Sequence, residues 1–356
     1  MEPKYDDGSY NKKCILDSGS HLYGFFKDTC LGFEFCTLDG QVMHCSEMEN
    51  QEIFYALPCS ASTLGMVLAF KLKIIPVKRY VKLQYTPTDG ISETCKELAS
   101  SCSNPLFDFV EAIVFSEEKA VVIKGNFEEE MDSNSTPIRV SHWWKRWFYQ
   151  HVAAITRSGP AVEFVPIQDY YRRHSRSFFW LIRDTNPLVG SLFFRYLFGW
   201  LLPVFSLKVL DIQNEDDRII QDMIVPAQCL NKILTYVFRN IKVFPLWLCP
   251  VKCYNSPGLI HPGIGMDELY VNIGTYGRVG LDDFHPIECI RAYEIIVRRV
   301  SGFQMPYAES YQSREEFSQM YDRSLYDSLR RKMPHCLSAF PDIYDAFRSA
   351  RWQLNP

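Results

Sequence analysis

The side chains best suited to acid–base chemistry are concentrated between Tyr170 and Arg176, where two tyrosines, one histidine and three arginines occur within seven residues. A tyrosine and a histidine together can donate and accept a proton, and arginine binds phosphate or carboxylate groups. If the segment is extended, alternate residues point to the same side, which gives a common face to Tyr170, Arg172, His174 and Arg176. The same pattern is typical of a solvated strand whose rings pack beneath a neighbour, so both interpretations stay open.

Two segments rich in small residues could let backbone N–H groups approach a ligand closely. One runs from Ser18 to Gly24 around His21, and the other from Ser60 to Gly65. A turn before a strand has the same composition, so neither segment identifies a site alone. His261 and the stretch from Gly302 to Tyr307 are comparable, because each places polar groups among apolar residues, a pattern more typical of a core than of a site.

The sequence contains none of the stronger catalytic signatures, namely the Walker loop, G-x-G-x-x-G, H-E-x-x-H and G-x-S-x-G. Its 12 cysteines are too scattered for a zinc site or a disulfide framework, because the nearest pair, Cys249 and Cys253, has no second pair at ligand spacing. We therefore expect free thiols in a reducing compartment and no metal centre.

The composition predicts a folded protein that does not bind nucleic acid. Hydrophobic residues make up 47% of the 356 residues and charged residues 22%, which is typical of a globular core. The 38 Lys and Arg are balanced by 42 Asp and Glu, so a concentrated basic surface is not expected. The aromatic fraction of 15% is high, and it predicts large buried rings, a site for a flat ligand, or an interface with lipid or protein.

No signal peptide or transmembrane segment is expected, because the first residues are polar and no uncharged apolar run reaches about 18 residues. The nearest candidate is Leu192–Leu210, which Arg195 and Lys208 charge and Pro203 would break as a helix. This segment is either a buried helix and strand or an interfacial segment with aromatic rings at the level of the lipid headgroups.

The elements that position these residues follow from local patterns, and they predict an α+β fold with a domain boundary near Lys78. Asp39-Gly40 between two alternating apolar runs predicts a hairpin over Leu31–Cys45. Further strands are predicted at Leu64–Ile75, Lys78–Tyr85, within Phe107–Ile123 (two strands), at Val243–Val251 and at Leu269–Gly277. Helices are predicted at Glu47–Leu57, Thr86–Ser101, Trp143–Ile155, Gln221–Arg239, Pro286–Val300, Arg314–Lys332 and Pro341–Arg351.

Several longer stretches resemble FAD-binding flavoproteins of the vanillyl-alcohol-oxidase type and, more narrowly, the delta(24)-sterol reductase family. The resemblance to the flavin domain rests on Ser18–Gly24 and Ile53–Gly65. The narrower resemblance rests on Ile74–Leu83, Tyr170–Trp180, Phe194–Pro203, Gln221–Pro226, Phe244–Pro250, Pro257–Pro262, Glu268–Gly277 and Gly302–Phe317. The matching stretches follow one another in unbroken order from about Ser18 to the end of the chain.

The resemblance implies an enzyme that uses NADPH and FAD to reduce the side-chain double bond of a sterol, in association with the endoplasmic reticulum membrane. It implies a partial FAD-binding domain at residues 18–78 after an irregular segment (1–17), an α+β substrate or cap domain at 79–300, and a C-terminal helical part (301–356) that returns toward the flavin domain. The implied cofactor-binding residues are Ser20, His21, Tyr23, Gly24, Thr63, Leu64, Gly65 and Gln304. The implied catalytic residues are Tyr170, His174 and Tyr307, and the implied substrate residues are Tyr171, Arg176, Trp180 and His261.

Two departures from the family pattern bear on cofactor binding. Members of the family carry a first FAD subdomain and a glycine-rich loop before the segment that matches Ser18–Gly24, whereas residues 1–17 of this chain contain one glycine. The family usually has Trp and Gly where this chain has Cys59 and Ser62. Three hypotheses follow: an active reductase; a truncated paralogue or splice form that binds a sterol or a partner protein without catalysis; or an incomplete piece of a longer chain.

Overall fold

The computed structural model describes residues 18–133, 135–140, 142, 145–175, 179–181, 218–263, 265–279 and 285–348. The described chain begins with a short helix, α1 (Ser20–Tyr23), and a 3₁₀ turn (Phe26–Thr29). A three-stranded antiparallel sheet follows, in which β1 (Cys30–Cys36) lies between β2 (Val42–Cys45) and β3 (Met66–Leu72). Helix α2 (Gln51–Ala56) connects β2 to β3.

The predicted hairpin is confirmed by β1 and β2. Gly40 adopts a positive φ of 83°, and the Thr37 N–H donates to the Gln41 carbonyl oxygen at 2.9 Å, which closes the turn. Strand β3 confirms the predicted Leu64–Ile75 strand and forms an edge that is exposed along its whole length. Strand β1 is therefore the central strand of the small sheet, and β3 is an exposed edge strand.

The larger sheet has eight strands in the order β11-β8-β10-β9-β5-β6-β4-β7, and each of its described pairings is antiparallel. The strands are β4 (Tyr80–Asp89), β5 (Phe109–Val114), β6 (Lys119–Glu128), β7 (Ala161–Pro166), β8 (Arg218–Pro226), β9 (Leu246–Cys253), β10 (Glu268–Arg278) and β11 (Phe303–Gln304). Strand β11 lies beyond residue 300, where the sequence predicts a boundary. The predicted division into four parts stays a prediction.

One face of the eight-stranded sheet is covered by helices and the other carries aromatic and polar side chains. Helices α3 (Ile91–Ser103), α6 (Leu230–Asn240) and α7 (Pro286–Arg299) pack on the first face, where Ala112, Met223 and Ile273 are fully buried. Helix α4 (Phe148–Ser158) and the short helix α5 (Ile167–Tyr171) belong to the second face. Full burial of a side chain the size of Met223 or Ile273 stabilises the fold by about 1.5–3 kcal/mol.

Four C-terminal helices follow strand β11. They are α8 (Arg314–Met320), α9 (Ser324–Lys332), α10 (Pro334–Ala339) and α11 (Ile343–Phe347), and α9 contacts α2. The buried Arg330 guanidinium donates from Nη1 to the carbonyl oxygens of Thr63 (3.2 Å) and Pro341 (2.8 Å). Its Nη2 donates to the carbonyl oxygen of Phe340 at 3.0 Å, so one cation ties the Ser60–Gly65 loop to the C-terminal helices.

The α+β class is as predicted, but three local predictions are wrong. The predicted helix Gln221–Arg239 begins as strand β8, because apolar and β-branched residues are buried on both faces of the sheet up to Pro226, and only then does α6 form. The predicted helix Arg314–Lys332 is interrupted between Met320 and Ser324, where Tyr321 has an extended backbone and the Asp322 side chain accepts from the Ser324 N–H at 2.9 Å.

The third wrong prediction is the extended segment from Tyr170 to Arg176. Residues 167–171 form α5 after Pro166, and turns follow to Ser175, so alternate residues do not share a face. None of the helices in the described ranges is both long and apolar enough to span a membrane. The Leu192–Leu210 segment lies outside the described residues.

Candidate functional site

The aromatic and polar face of the eight-stranded sheet holds two buried carboxyl groups, Glu111 on β5 and Asp222 on β8. Asp222 lies opposite Gly274 of β10, and Gly274 lies opposite Trp247 of β9. Trp247 lies opposite Ile113 of β5, two residues from Glu111 on the same strand. Residues directly opposite each other share a face, as do residues two apart on one strand. The cross-strand register therefore places both carboxyl groups on the same side of the sheet.

Glu111 belongs to a buried ion pair. Its Oε1 accepts from Arg173 Nε at 2.8 Å, and its Oε2 accepts from Trp247 Nε1 at 2.8 Å and lies 3.3 Å from His174 Nε2. Burial alone would raise the pKa of Glu111, but the Arg173 charge and the contacts with His174 hold this pKa well below its usual range. Glu111 is therefore a carboxylate at neutral pH.

Asp222 has a different environment, because every group bonded to it in the described part of the chain is uncharged. Its Oδ1 accepts from Asn272 Nδ2 and from the Tyr276 hydroxyl, both at 2.6 Å, and its Oδ2 accepts from the Tyr307 hydroxyl. Burial raises the pKa of Asp222, and the hydrogen bonds from Tyr276, Tyr307 and Asn272 offset only part of that rise. The pKa values of two carboxyl groups on one face are thus shifted in opposite directions, downward for Glu111 and upward for Asp222. Such a pair can provide one proton donor and one permanent anion.

The Tyr276 hydroxyl reaches Asp222 because the residue between them on the sheet is glycine. A Cβ atom built on Gly274 would lie 2.7 Å from the Tyr276 hydroxyl oxygen and 2.8 Å from its Cζ atom. The Tyr276 ring therefore lies across the position that a side chain at residue 274 would occupy.

Tyr307 connects Asp222 to the surface. Its side chain is 44% exposed, whereas Asp222 is 1% exposed. Tyr307 follows β11 in a turn that the Ala308 N–H closes on the Met305 carbonyl oxygen at 3.1 Å, and the Met305 N–H donates to the Asp222 carbonyl oxygen at 2.9 Å. The backbone of β8 thus fixes the position of Tyr307, and Tyr307 can relay a proton between the buried carboxyl group and a molecule at the surface.

An aromatic cluster of His174, Phe179, Trp180, Trp247 and Tyr276 joins the two carboxyl groups. His174 stacks on Phe179 with ring centroids 4.4 Å apart, and Phe179 lies 5.4 Å from Tyr276. Trp180 Nε1 donates to the Tyr276 carbonyl oxygen at 2.5 Å. The structure therefore brings three of the predicted site residues, His174, Trp180 and Tyr307, to one face of the sheet.

Of the other predicted residues of this region, Tyr170 also lies on this face, where its ring packs against Phe109 of β5 with ring centroids 4.8 Å apart. Tyr170 is fully buried, and its hydroxyl oxygen lies 2.7 Å from Ser18 Oγ, while Tyr171 is exposed. His261 is half-exposed, with Nε2 3.8 Å from the Asp322 carboxylate. Arg176 lies outside the described residues.

Comparison of the sequence with known proteins places the chain in a family. No family model matches the chain. The delta(24)-sterol reductases of Homo sapiens and Macaca fascicularis are each 38% identical to it over 338 residues, which is 93% of this chain and 65% of theirs. A delta(24)-sterol reductase homologue of Caenorhabditis elegans is 36% identical over 373 residues, covering 98% of this chain and 71% of its own. The chain belongs to the delta(24)-sterol reductase family.

The similarity extends further at lower identity. The L-gulonolactone oxidase of Mus musculus is 21% identical over 322 residues, so the chain is also related to an oxidase. The chain spans only about 65% of the length of the mammalian delta(24)-sterol reductases.

Several of the residues predicted to line a flavin are already occupied by contacts within the protein. The two ring nitrogens of His21 lie 3.1 Å and 3.2 Å from the carbonyl oxygens of Ser18 and Phe107. A Cβ atom on Gly24 would lie 2.6 Å from Asp28 Oδ2. The Thr63 hydroxyl donates to the Ser60 carbonyl oxygen at 2.7 Å and lies 2.7 Å from the Tyr326 hydroxyl.

The remaining predicted cofactor residues are largely occupied in the same way. Leu64 and Ser20 are buried, Tyr23 is half-buried, and a Cβ atom on Gly65 would lie 2.5 Å from the Phe35 ring. Gln304 Nε2 donates to Gln221 Oε1 at 2.5 Å. These residues do not by themselves form a cradle for FAD.

The loop before Thr63 shows where this chain departs from the family pattern. Cys59, Ala61 and Ser62 all adopt the left-handed conformation, with φ of 63°, 51° and 59°. Such a backbone favours glycine, which the resemblance implies at the position of Ser62. Strain of this kind is concentrated at functional sites, so the loop stays a candidate for ligand contact.

Sequence reasoning missed Asp222, Tyr276 and Gly274. The available signal was the polar pair Gln221-Asp222 within an otherwise apolar run, Ile219–Val225, since an acidic residue is costly to bury unless it has partners. The helix predicted over Gln221–Arg239 concealed this signal, because an acidic residue on a helix is ordinarily solvated.

Proposed function

We propose that this chain reduces the side-chain double bond of a sterol, acting as a delta(24)-sterol reductase. The proposal is carried by one observation, the 36–38% identity to delta(24)-sterol reductases across 93–98% of the chain. The relatives include plant proteins of the same name, at 31% identity in Arabidopsis thaliana and Pisum sativum.

We propose FAD as the cofactor and NADPH as its reductant, following the family resemblance. When bound, the flavin supplies hydride to one carbon of the double bond. The second carbon requires a proton, and this is the part of the reaction for which the described residues provide a group.

Among the three predicted catalytic residues, we propose Tyr307 as the proton donor. Tyr170 is fully buried, and His174 is tied to the Glu111 carboxylate. Tyr307 alone of the three combines a largely exposed phenol with a hydrogen bond to a buried carboxyl group. We propose that Trp180, which is fully buried, supports the Tyr276 backbone rather than touching the sterol.

We also propose that the protein acts at the endoplasmic reticulum membrane, where its apolar substrate dissolves. The support is the aromatic Leu192–Leu210 sequence, whose Phe198 and Trp200 suit the level of the lipid headgroups. Flotation with liposomes tests this. Binding that decreases in Phe198→Ala and Trp200→Ala supports it, and unchanged flotation contradicts it.

The test of function is a turnover assay on the purified chain with FAD, NADPH and a sterol that has the side-chain double bond. Mass spectrometry should detect a product heavier by two hydrogen atoms. The Tyr307→Phe variant should lose this product, and Tyr254→Phe, which removes a hydroxyl bonded to the Leu22 carbonyl oxygen, should retain it. If the unmodified chain forms no saturated sterol, the proposal is wrong.

A further inference from the structure

The partners of Asp222 fix which of its two oxygens can carry a proton. Oδ1 is occupied by two donors at 2.6 Å, the Asn272 amide and the Tyr276 hydroxyl, so a proton on this oxygen would face other protons. Oδ2 faces the Tyr307 hydroxyl, which can either donate or accept. An acid form of Asp222 therefore holds its proton on Oδ2 and donates it to the Tyr307 oxygen.

The protonation state of Asp222 decides whether the Tyr307 hydroxyl donates or accepts, and therefore where its O–H bond points. When Asp222 is a carboxylate, Tyr307 donates to it and its own proton points inward. When Asp222 is an acid, the Tyr307 oxygen accepts and its O–H bond is turned away from Asp222. Only the second arrangement points the Tyr307 proton away from Asp222, in a direction from which it can be transferred to another molecule.

We propose that Asp222 is the proton reservoir behind Tyr307 in sterol reduction, with Tyr276 and Asn272 holding its Oδ1 so that the transferable proton stays on Oδ2. The proposal rests on the proposed function, because that function supplies the double bond that accepts the proton. Nothing in the resemblance assigns a role to Asp222, Tyr276 or Asn272.

Reduction of the double bond requires a hydride, which the proposed reduced flavin would supply and which would form one C–H bond. The π electron pair of the double bond forms the second C–H bond with the Tyr307 proton as the Tyr307 O–H bond breaks. The Asp222 Oδ2–H bond breaks as its proton moves to the Tyr307 oxygen, which leaves Asp222 as a carboxylate. A proton from water restores Asp222 after the product leaves. Tyr307 is thus the group that touches substrate, and Asp222 acts through it.

The burial of Asp222 favours the acid form. The titratable groups that act on it within the described chain are Tyr276 on β10, Tyr307 after β11 and, from the opposite face, Tyr293 on α7. All three are neutral at physiological pH, so none stabilises the carboxylate as a cation would.

Asp222→Asn tests the reservoir against a merely structural role. An asparagine has the same shape, and its Oδ1 can accept from Asn272 and Tyr276 while its Nδ2 donates to Tyr307, but it releases no proton. We expect Asp222→Asn to lower kcat by about 100-fold or more with KM for the sterol unchanged. Wild-type kcat in Asp222→Asn, together with loss of activity in Asp222→Ala, would show that Asp222 only positions Tyr307 and would overturn the proposal.

Glu294→Gln is the matched control. Glu294 is a second buried carboxyl group, which accepts from the Tyr311 N–H at 3.0 Å and has no contact with Asp222 or Tyr307 in the described structure. A glutamine keeps that acceptor, so kcat should be unchanged. A loss equal to that of Asp222→Asn would assign the effect to the removal of any buried carboxyl group and would contradict the proposal.

Infrared spectroscopy gives a readout independent of turnover. The spectrum of the unmodified chain minus that of Asp222→Asn at neutral pH should contain the carbonyl band of a protonated carboxylic acid that shifts in deuterated water. A carboxylate band in its place would overturn the proposal. If the unmodified chain shows no sterol reduction, the proposed function fails, and the infrared result alone then decides whether Asp222 holds a proton.

Discussion

Tyr276 lies across Gly274, at a distance that leaves no room for a methyl group on the glycine: a Cβ atom there would be 2.7 Å from the Tyr276 hydroxyl oxygen. Gly274→Ala should therefore push the Tyr276 hydroxyl away from Asp222 Oδ1. Losing this buried hydrogen bond should destabilise the protein by about 1–3 kcal/mol and lower sterol turnover. Urea unfolding and the turnover assay measure the two effects.

Gly125→Ala is the control in the same sheet. Its added Cβ atom would meet the side-chain methyl groups of Leu83 and Val81 at 3.0 Å, which can shift slightly. It should cost stability without changing turnover per folded molecule. Equal losses of turnover in the two variants would contradict a specific role for Gly274.

The Glu111–Arg173 pair predicts a loss of stability in acid. The pKa of Glu111 is lowered in the folded protein, so its contribution is present above the unfolded value of about 4.3 and is lost as the pH falls toward the folded value. Glu111→Gln leaves Arg173 buried without its carboxylate and should cost about 3–5 kcal/mol at neutral pH. The difference from the unmodified chain, measured by urea unfolding, should shrink as the pH falls below about 4.

Glu118→Gln, at an exposed turn, is the control for this prediction and should change the free energy of unfolding by less than about 0.5 kcal/mol. A difference for Glu111→Gln that stays constant down to the acid limit would argue against a buried carboxylate.

Glu294 predicts the opposite pH dependence. Burial raises the pKa of Glu294 to about 8, so between its unfolded value and pH 8 the folded protein holds a proton that the unfolded chain releases. Stability therefore falls as the pH rises through this window, by up to about 1.4 kcal/mol for each pH unit. Glu294→Gln removes this dependence, and its stability relative to the unmodified chain should increase from about pH 5 to about pH 8. Parallel stability curves would refute the assignment.

The hydrogen bonds of Arg330 predict that the position of the Ser60–Gly65 loop depends on a residue far away in the sequence. Arg330→Met removes the donor that the carbonyl oxygens of Thr63, Pro341 and Phe340 share, and it should cost about 3 kcal/mol because these buried acceptors lose their partner. The neighbouring Arg331 is exposed, and Arg331→Met should stay within about 0.5 kcal/mol. Thermal unfolding of both variants measures this difference in stability. Equal decreases in unfolding temperature would contradict a specific stabilising role for Arg330.

The sequence correctly predicted the helices and strands that depend on residues close together in the chain. Asp39-Gly40 correctly predicted the first hairpin, and the apolar spacing of Pro286–Val300 correctly predicted α7. Strand β8 was missed because a central strand buried on both faces lacks the alternation that identifies strands. A buried strand and a buried helix then look alike in sequence.

The candidate site depends on long-range register, which explains why only part of it was predicted. Tyr307 was predicted through the family resemblance. Its partner Asp222 is 85 residues away in sequence, and the alignment of Asp222 with Gly274 arises only when β8 pairs with β10. A shift of one residue in that pairing would turn Asp222 to the other face, and nothing in either segment alone specifies the register.

Sterol reduction in deuterated water tests the central claim most directly. If Tyr307, supplied by Asp222, protonates the double bond, the saturated sterol should contain at least one solvent-derived deuterium, and Tyr307→Phe should form it about 100-fold more slowly. A saturated sterol without solvent deuterium, or one formed by Tyr307→Phe at the rate of the unmodified chain, would contradict this account.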